Sequence, residues 1–198
     1  MRIAALASHG GSILQAVIDA CERGELPAKI VLVISNNSDA FALERARQHG
    51  IATSHLSSHT HPDAEALDAV IEAALVDAGA DWVLLTGYMK KLGPRTLARF
   101  HNRILNTHPA LLPRFGGKGF YGRRVHEAVL ASGAGETGAT VHLVDGDYDN
   151  GAVLAQVKIP VHQSDTARSL EERVKAVERK LIVATLADLA ARREASNY

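Results

Sequence analysis

The chain has 198 residues, 46% of them hydrophobic and 22% charged, the balance of an ordinary globular protein rather than of a disordered or fibrous one. That length suffices for a single domain with a substantial apolar core. Lys and Arg number 22, as do Asp and Glu, so no overall basic field draws in a nucleic acid or an anionic membrane, and any anion must be held locally.

The chain opens with Met1, Arg2 and a short apolar run over 3–7 that enters a Gly-rich turn, too short for a signal sequence. No apolar stretch reaches the ~18 residues of a membrane span. The single cysteine, Cys21, has no partner for a disulfide within the chain. These features predict a cytoplasmic, unprocessed protein acting on small molecules, with no nucleic-acid or membrane partner, as a monomer or a homodimer.

In chain order, an aliphatic strand over 3–7 ends in Ser8-His9-Gly10-Gly11-Ser12 and a helix over 12–23 follows. A strand over 30–35 leads through Asn36 and Asn37 to a helix over 40–49. His55, His59 and His61 then cluster in sequence without a metal-ligand spacing and read as surface residues. A helix over 64–78 precedes a strand over 82–86, which ends in Gly87-Tyr88-Met89-Lys90-Lys91; a short helix over 94–100 follows. A strand over 104–106 carries Asn106 and gives way to Thr107, His108 and Pro109. After a helix over 124–132, strands over 140–144 and 153–159 flank the acidic segment 145–151. His142, inside the first of these, reads as a core imidazole bonded to a neighbour. A last helix covers about 167–191, and 192–198 are predicted to fray.

Short aliphatic runs alternating with helical segments are the signature of β-α-β units. They predict an α/β protein: one Rossmann-like domain over 1–198, with a mostly parallel twisted sheet of about seven strands and helices on both faces. In such sheets ligands sit beyond the carboxyl ends of the strands, where strand order changes direction. The polar segments after the strands are therefore expected to meet on one rim.

Three of these segments carry chemistry. The turn at 8–12 opens a helix, so its N–H groups and the helix dipole suit a phosphate, whereas the G-x-G-x-x-G spacing of a dinucleotide site is absent. Asn106 and His108 stand at a strand end stiffened by Pro109 and Pro113. A side-chain amide can steady an oxyanion, and an imidazole can move protons near neutral pH. A carboxylate beside the imidazole would favour its charged form, and Asp145, Asp147 and Asp149 are all candidates that spacing alone does not separate.

Taken together, the Gly-rich start, Ser35-Asn36, the run 40–46, Gly87-Tyr88-Met89, the run 106–113 and the run 137–142 resemble the phosphoribosylglycinamide formyltransferase family across almost the whole chain. The resemblance implies the formyltransferase fold and transfer of a formyl group from 10-formyltetrahydrofolate, as co-substrate, to the amine of glycinamide ribonucleotide, with no metal. It selects Asp149 among the three carboxylates and assigns Asn106, His108 and Asp149 to catalysis, Asp149 keeping His108 protonated. It also assigns Gly11, Ser12, Ile13, Gly87, Pro109 and Glu178 to the ribonucleotide. Met89, Lys90, Lys91, Leu92, Asn106, Asp145, Gly146, Asp147, Tyr148 and Asp149 go to the folate.

Three positions depart from the family pattern. Ile13 stands where an Asn is usual and Ala64 where an Arg is usual, while the segment 114–122 is long and basic, a candidate lid in which Lys118 is expected to meet an anionic substrate group. The competing readings are a 10-formyltetrahydrofolate deformylase, which usually carries an additional preceding domain and a second histidine in place of Pro109, and a non-catalytic phosphosugar-binding module of the same fold. A methionyl-tRNA formyltransferase would need a basic carboxyl-terminal domain.

Overall fold

Buried aliphatic side chains on alternate faces of short strands set the architecture of the protein, seen in a computed structural model that describes residues 1–147 and 149–195. The elements in order are β1 (Arg2–Ala7), α1 (Ser12–Glu22), β2 (Lys29–Ser35), α2 (Phe41–Gln48), β3 (Thr53–His55), α3 (Ala64–Asp77), β4 (Trp82–Leu85), α4 (Pro94–Arg99), β5 (Ile104–His108), α5 (Arg123–Ala131), β6 (Glu136–Leu143), β7 (Val153–Pro160) and α6 (Ala167–Ala195).

The strands form one sheet in the order β3-β2-β1-β4-β5-β6-β7. Pairing is parallel from β3 to β5 and antiparallel for β5 with β6 and β6 with β7. From β1 the chain builds outward through β2 and β3, then returns to the other side of β1 for β4 and β5. The loops after β1 and β4 therefore part at a switch point, where a crevice opens. Both faces of β1 are buried, as a central parallel strand requires. Ile3, Ala5 and Ala7 pack under α1, α2 and α6 with Leu14, Val17, Leu43 and Ile182, whereas Ala4 and Leu6 face Ile71, Leu75 and Phe100.

The predicted α/β class and helices on both faces hold, with four corrections. The sequence pattern does not predict β3, because Thr53-Ser54-His55 has neither apolar alternation nor β-branched enrichment beyond one threonine; it exists because β2 offers it a parallel ladder. β5 runs two residues further than expected and so holds His108 within the sheet, paired with Thr140. β6 starts at Glu136, well before the expected 140. The last helix continues to Ala195, so the tail expected to fray from 192 is helical over its first four residues; 196–198 lie outside the described residues.

Asp68, on α3 and only 4% exposed, fixes the short helix that ends the loop after β4. Its carboxylate accepts from the N–H groups of Arg95 (2.7 Å) and Thr96 (3.2 Å) and from the Thr96 hydroxyl (2.6 Å). Gly93 passes so close that a Cβ there would lie 2.2 Å from Asp68 Cγ. Asp68→Ala strands these donors in a dry site and is expected to cost about 2–3 kcal/mol. Urea unfolding checks this, and a loss under ~0.5 kcal/mol would refute the anchoring role.

Candidate active site

Asn106, His108 and Asp149 come together, and a fourth residue joins them. Asn106 and His108 project from alternate positions near the carboxyl end of β5, and His142 on β6 lies directly opposite Asn106 in the ladder. Because β6 is antiparallel, its carboxyl end points away from the rim, and the segment 144–151 has to fold back to reach the site. Asp149 adopts φ 57°, a left-handed conformation that Asp tolerates better than most residues.

In this position the Asp149 carboxylate sits between two buried imidazoles, with Oδ2 3.4 Å from His108 Nδ1 and Oδ1 3.4 Å from His142 Nε2. It also accepts from the Gly117 N–H at 2.9 Å. Burial works to raise the carboxyl, but His142, His108 and Gly117 together bring it below the usual carboxylate range. The His142 ring is oriented by its Nδ1–H, which donates to the Leu143 carbonyl at 2.8 Å. Its Nε2 lies 3.2 Å from the Asn106 amide nitrogen and 3.4 Å from Asp149 Oδ1, so one imidazole nitrogen faces both groups.

His108 is 4% exposed. Its Nε2–H donates to the Phe115 carbonyl at 2.7 Å, and Phe115 holds φ 57° to aim that oxygen. Both ring nitrogens thus face oxygens, so the charged ring has a partner at each end. Burial nevertheless pulls the imidazolium below the ordinary imidazole range, against Asp149 and the Phe115 carbonyl, and His142 adds to the fall. The expected effect of Asp149, keeping His108 protonated, is therefore present in direction but outweighed by desolvation in the free protein. Within the segment 114–122, Phe115 and Gly117 contact His108 and Asp149, and Lys118 is exposed.

Ser8, at the end of β1 and 1% exposed, ties the two other rim loops together. Its hydroxyl donates to Asn36 Oδ1 (2.5 Å) and accepts from Met89 N–H (2.8 Å), while its own N–H donates to the Gly87 carbonyl (3.2 Å). Gly11 takes φ 67° where a Cβ would lie 2.8 Å from Ala42 Cβ, and α1 opens at Ser12. The Ile13 side chain packs into the core, so at this departure from the family pattern only the N–H is available to a ligand. Pro109 follows His108 and is half-buried. Glu178, on α6, is buried; burial pushes its carboxyl up, against the opposing influence of the Thr107 hydroxyl, Lys175 and Arg179.

Beside Asn106, His142 and Asp149 lies a cavity of about 70 Å³ that also involves Lys90, Lys91, Leu92, Gly146 and Asp147. Its lining residues Tyr88, Lys90, Lys91 and Leu92 also border a cleft of about 480 Å³ reaching Ala64 and His59. Lys91 approaches Asp147 at 4.0 Å, Asp145 is exposed, and Tyr148 lies outside the described residues. His142 is the buried, bonded imidazole that the sequence predicts, and it also joins the site; its place opposite Asn106 depends on strand pairing that spacing does not reveal. Among the described residues, Asp19, Glu22 and His49 lie close enough to share a metal ion. They sit at the far end of α1 from the Gly-rich turn, and the His49 nitrogens already meet Glu22 (2.6 Å) and the Gln15 amide (3.0 Å).

The sequence over residues 1–186 matches the formyl transferase family model. The chain belongs to the formyl transferase family. It is 42% identical over 189 residues to phosphoribosylglycinamide formyltransferase of Mycobacterium tuberculosis, covering 96% of this chain and 85% of that one. It is 40% identical over 186 residues to the chloroplastic enzyme of that name from Arabidopsis thaliana, covering 92% of this chain but only 63% of the longer plant protein. Among solved structures, glycinamide ribonucleotide transformylase 1 from Symbiobacterium toebii superposes with a TM-score of 0.91 at 36% identity, covering 98% of this chain and 89% of that one. No helix among the described residues of this formyl transferase family member is long and apolar enough to cross a membrane.

Burial also lowers His126, whose Nδ1 has no partner among the described residues. The unfolded chain takes up protons at 108 and 126 near the ordinary imidazole pKa of ~6.5, while the folded protein refuses them until a lower pH. Stability is therefore expected to fall as pH drops from about 6.5 to 5. Glu178, with its raised carboxyl, acts in the opposite sense, so a comparison of proteins differing only at 126 isolates the histidine. His126→Leu should flatten the decline in thermal midpoint over this range, and an unchanged slope would contradict the assignment.

Proposed function

We propose that this protein transfers the formyl group of 10-formyltetrahydrofolate to the amine of glycinamide ribonucleotide, a small-molecule reaction of purine biosynthesis. The observation that carries the reading is the Asp149 carboxylate held between His108 and His142 with the Asn106 amide alongside, on a chain whose relatives bear that name. The N–H groups of Gly11, Ser12 and Ile13 cradle the 5-phosphate, with Gly87 and Pro109 beside the sugar and Glu178 against its hydroxyls. The folate lies along Met89, Lys90, Lys91 and Leu92 and the segment of Asp145, Gly146, Asp147, Tyr148 and Asp149, with its outer portion in the larger cleft.

In this mechanism the amine nitrogen attacks the formyl carbon, and the carbonyl π electrons move to oxygen. The new oxyanion accepts hydrogen bonds from the Asn106 amide and from the protonated ring of His108. For His108 to donate, its Nε2–H exchanges the Phe115 carbonyl for the reacting oxygen, a change within reach of the covering loop. Negative charge developing beside the ring offsets the desolvation that lowers it in the free protein, and Asp149 supports the cation from the other nitrogen. The bond from formyl carbon to the folate nitrogen then breaks, the electrons returning from oxygen. The proton lost by the amine is passed to the departing nitrogen, leaving formylated ribonucleotide and tetrahydrofolate.

His108→Ala is expected to lower kcat by ~100-fold or more while the protein folds normally. Turnover of 10-formyltetrahydrofolate by the wild-type protein should require glycinamide ribonucleotide. Deformylation at the same rate without the amine would identify a hydrolase, and retained turnover in the variant would remove His108 from its part.

A further inference from the structure

Residues 9–11 form a turn in which every backbone carbonyl accepts a hydrogen bond from within the protein. The His9 carbonyl accepts from the Ala42 N–H (3.0 Å) and the Gly11 carbonyl from the Gln15 N–H (2.9 Å). Between them, the Gly10 carbonyl accepts from Arg45 Nε at 2.8 Å. Among the described residues, no hydrogen bond engages the N–H groups of residues 10–14. The turn therefore leaves its donors unengaged at the helix opening, while its carbonyls are held by α2 at residues 9 and 10 and by α1 at residue 11.

Arg45 differs from the other two donors because it is a charged side chain held in one orientation. Its Nη1 donates to Gln15 Oε1 at 2.9 Å. Its guanidinium carbon also lies over the half-exposed ring of Phe41, 4.7 Å from the centroid. Gln15 is in turn held by Asp19 at 2.7 Å. These contacts use the planar fork of Arg at three points. They leave the guanidinium one carbonyl away from the open N–H groups, where its charge adds to the field of the helix end.

We infer that Arg45 is a positioning residue for the phosphate of the amine substrate: it acts through the Gly10 carbonyl, keeping that oxygen out of the anion site and adding positive charge behind the cradle. The inference rests on the proposed reading of residues 11–13 as the phosphate cradle. Without Arg45, the Gly10 peptide is free to rotate its oxygen toward the phosphate, replacing attraction with repulsion. The loss should fall on the phosphate contact and not on the formyl-transfer step.

The test compares kcat/KM for glycinamide ribonucleotide and for the same amine lacking the 5-phosphate, in the wild-type protein, Arg45→Gln and Arg45→Lys. The wild-type protein should favour the phosphorylated amine strongly. In Arg45→Gln that ratio should shrink ~10-fold, the value expected for losing a charge-assisted bond, through KM rather than kcat. Arg45→Lys, which keeps the charge and one donor but not the fork, should recover part of the ratio. A wild-type protein indifferent to the phosphate would overturn the cradle reading itself and this inference with it. Strong wild-type discrimination that is retained in Arg45→Gln would overturn the inference alone, as would a fall in kcat/KM that is equal for both amines and accompanied by a lower thermal midpoint.

Discussion

A carboxylate desolvated between two imidazoles organises this site. Asp149 cannot be buried as an anion without partners, and it finds them in His108, His142 and the Gly117 N–H. Each partner belongs to a different element: β5, β6 and the covering loop. The segment 144–151, β6 and residues 114–122 are thereby drawn to one point beside the sheet. The same contacts orient the polar groups of the site, since His142 meets the Asn106 amide and Phe115 and Asp149 bracket the His108 ring. In the proposed mechanism this preorganisation holds the Asn106 amide and the Asp149 side of the His108 ring in place, so that only the Phe115 carbonyl has to be exchanged.

The sheet topology supplies the second half of the arrangement. The switch between β1 and β4 opens the crevice where the Gly-rich turn and the loop at 87–92 diverge; Ser8 joins them with two hydrogen bonds, to Gly87 and Met89, and adds a third to Asn36 after β2. The Gly-rich turn and the loop at 87–92 are thus parts of one hydrogen-bonded edge. Beneath the first, α2 provides Ala42 and Arg45; beneath the second, α3 provides Asp68. The antiparallel β6 and β7 extend the sheet past β5 and give the acidic segment a place to fold back.

Much of this was legible in the sequence because buried parallel strands leave a strong signal. The aliphatic runs of β1, β2 and β4 and the Gly-rich turn after β1 marked the switch-point side of the sheet directly. What was illegible depends on pairing across the sheet. Thr53-Ser54-His55 carries no pattern of its own and is a strand only beside β2. His142 looks like any core imidazole until its ladder partner is known to be Asn106. Three aspartates within five positions were indistinguishable by spacing, and resemblance to a family, not periodicity, chose Asp149. The sign of the His108 shift was also beyond the sequence: a neighbouring carboxylate argues for charge, and only the depth of burial reveals that desolvation outweighs it.

The central claim is that Asp149 works through His108 and not independently of it. A double-mutant cycle on kcat/KM with His108→Ala, Asp149→Asn and the double variant tests this directly. The account expects strong non-additivity, with Asp149→Asn costing little further once the imidazole is gone. Independent, additive losses from the two substitutions would contradict it.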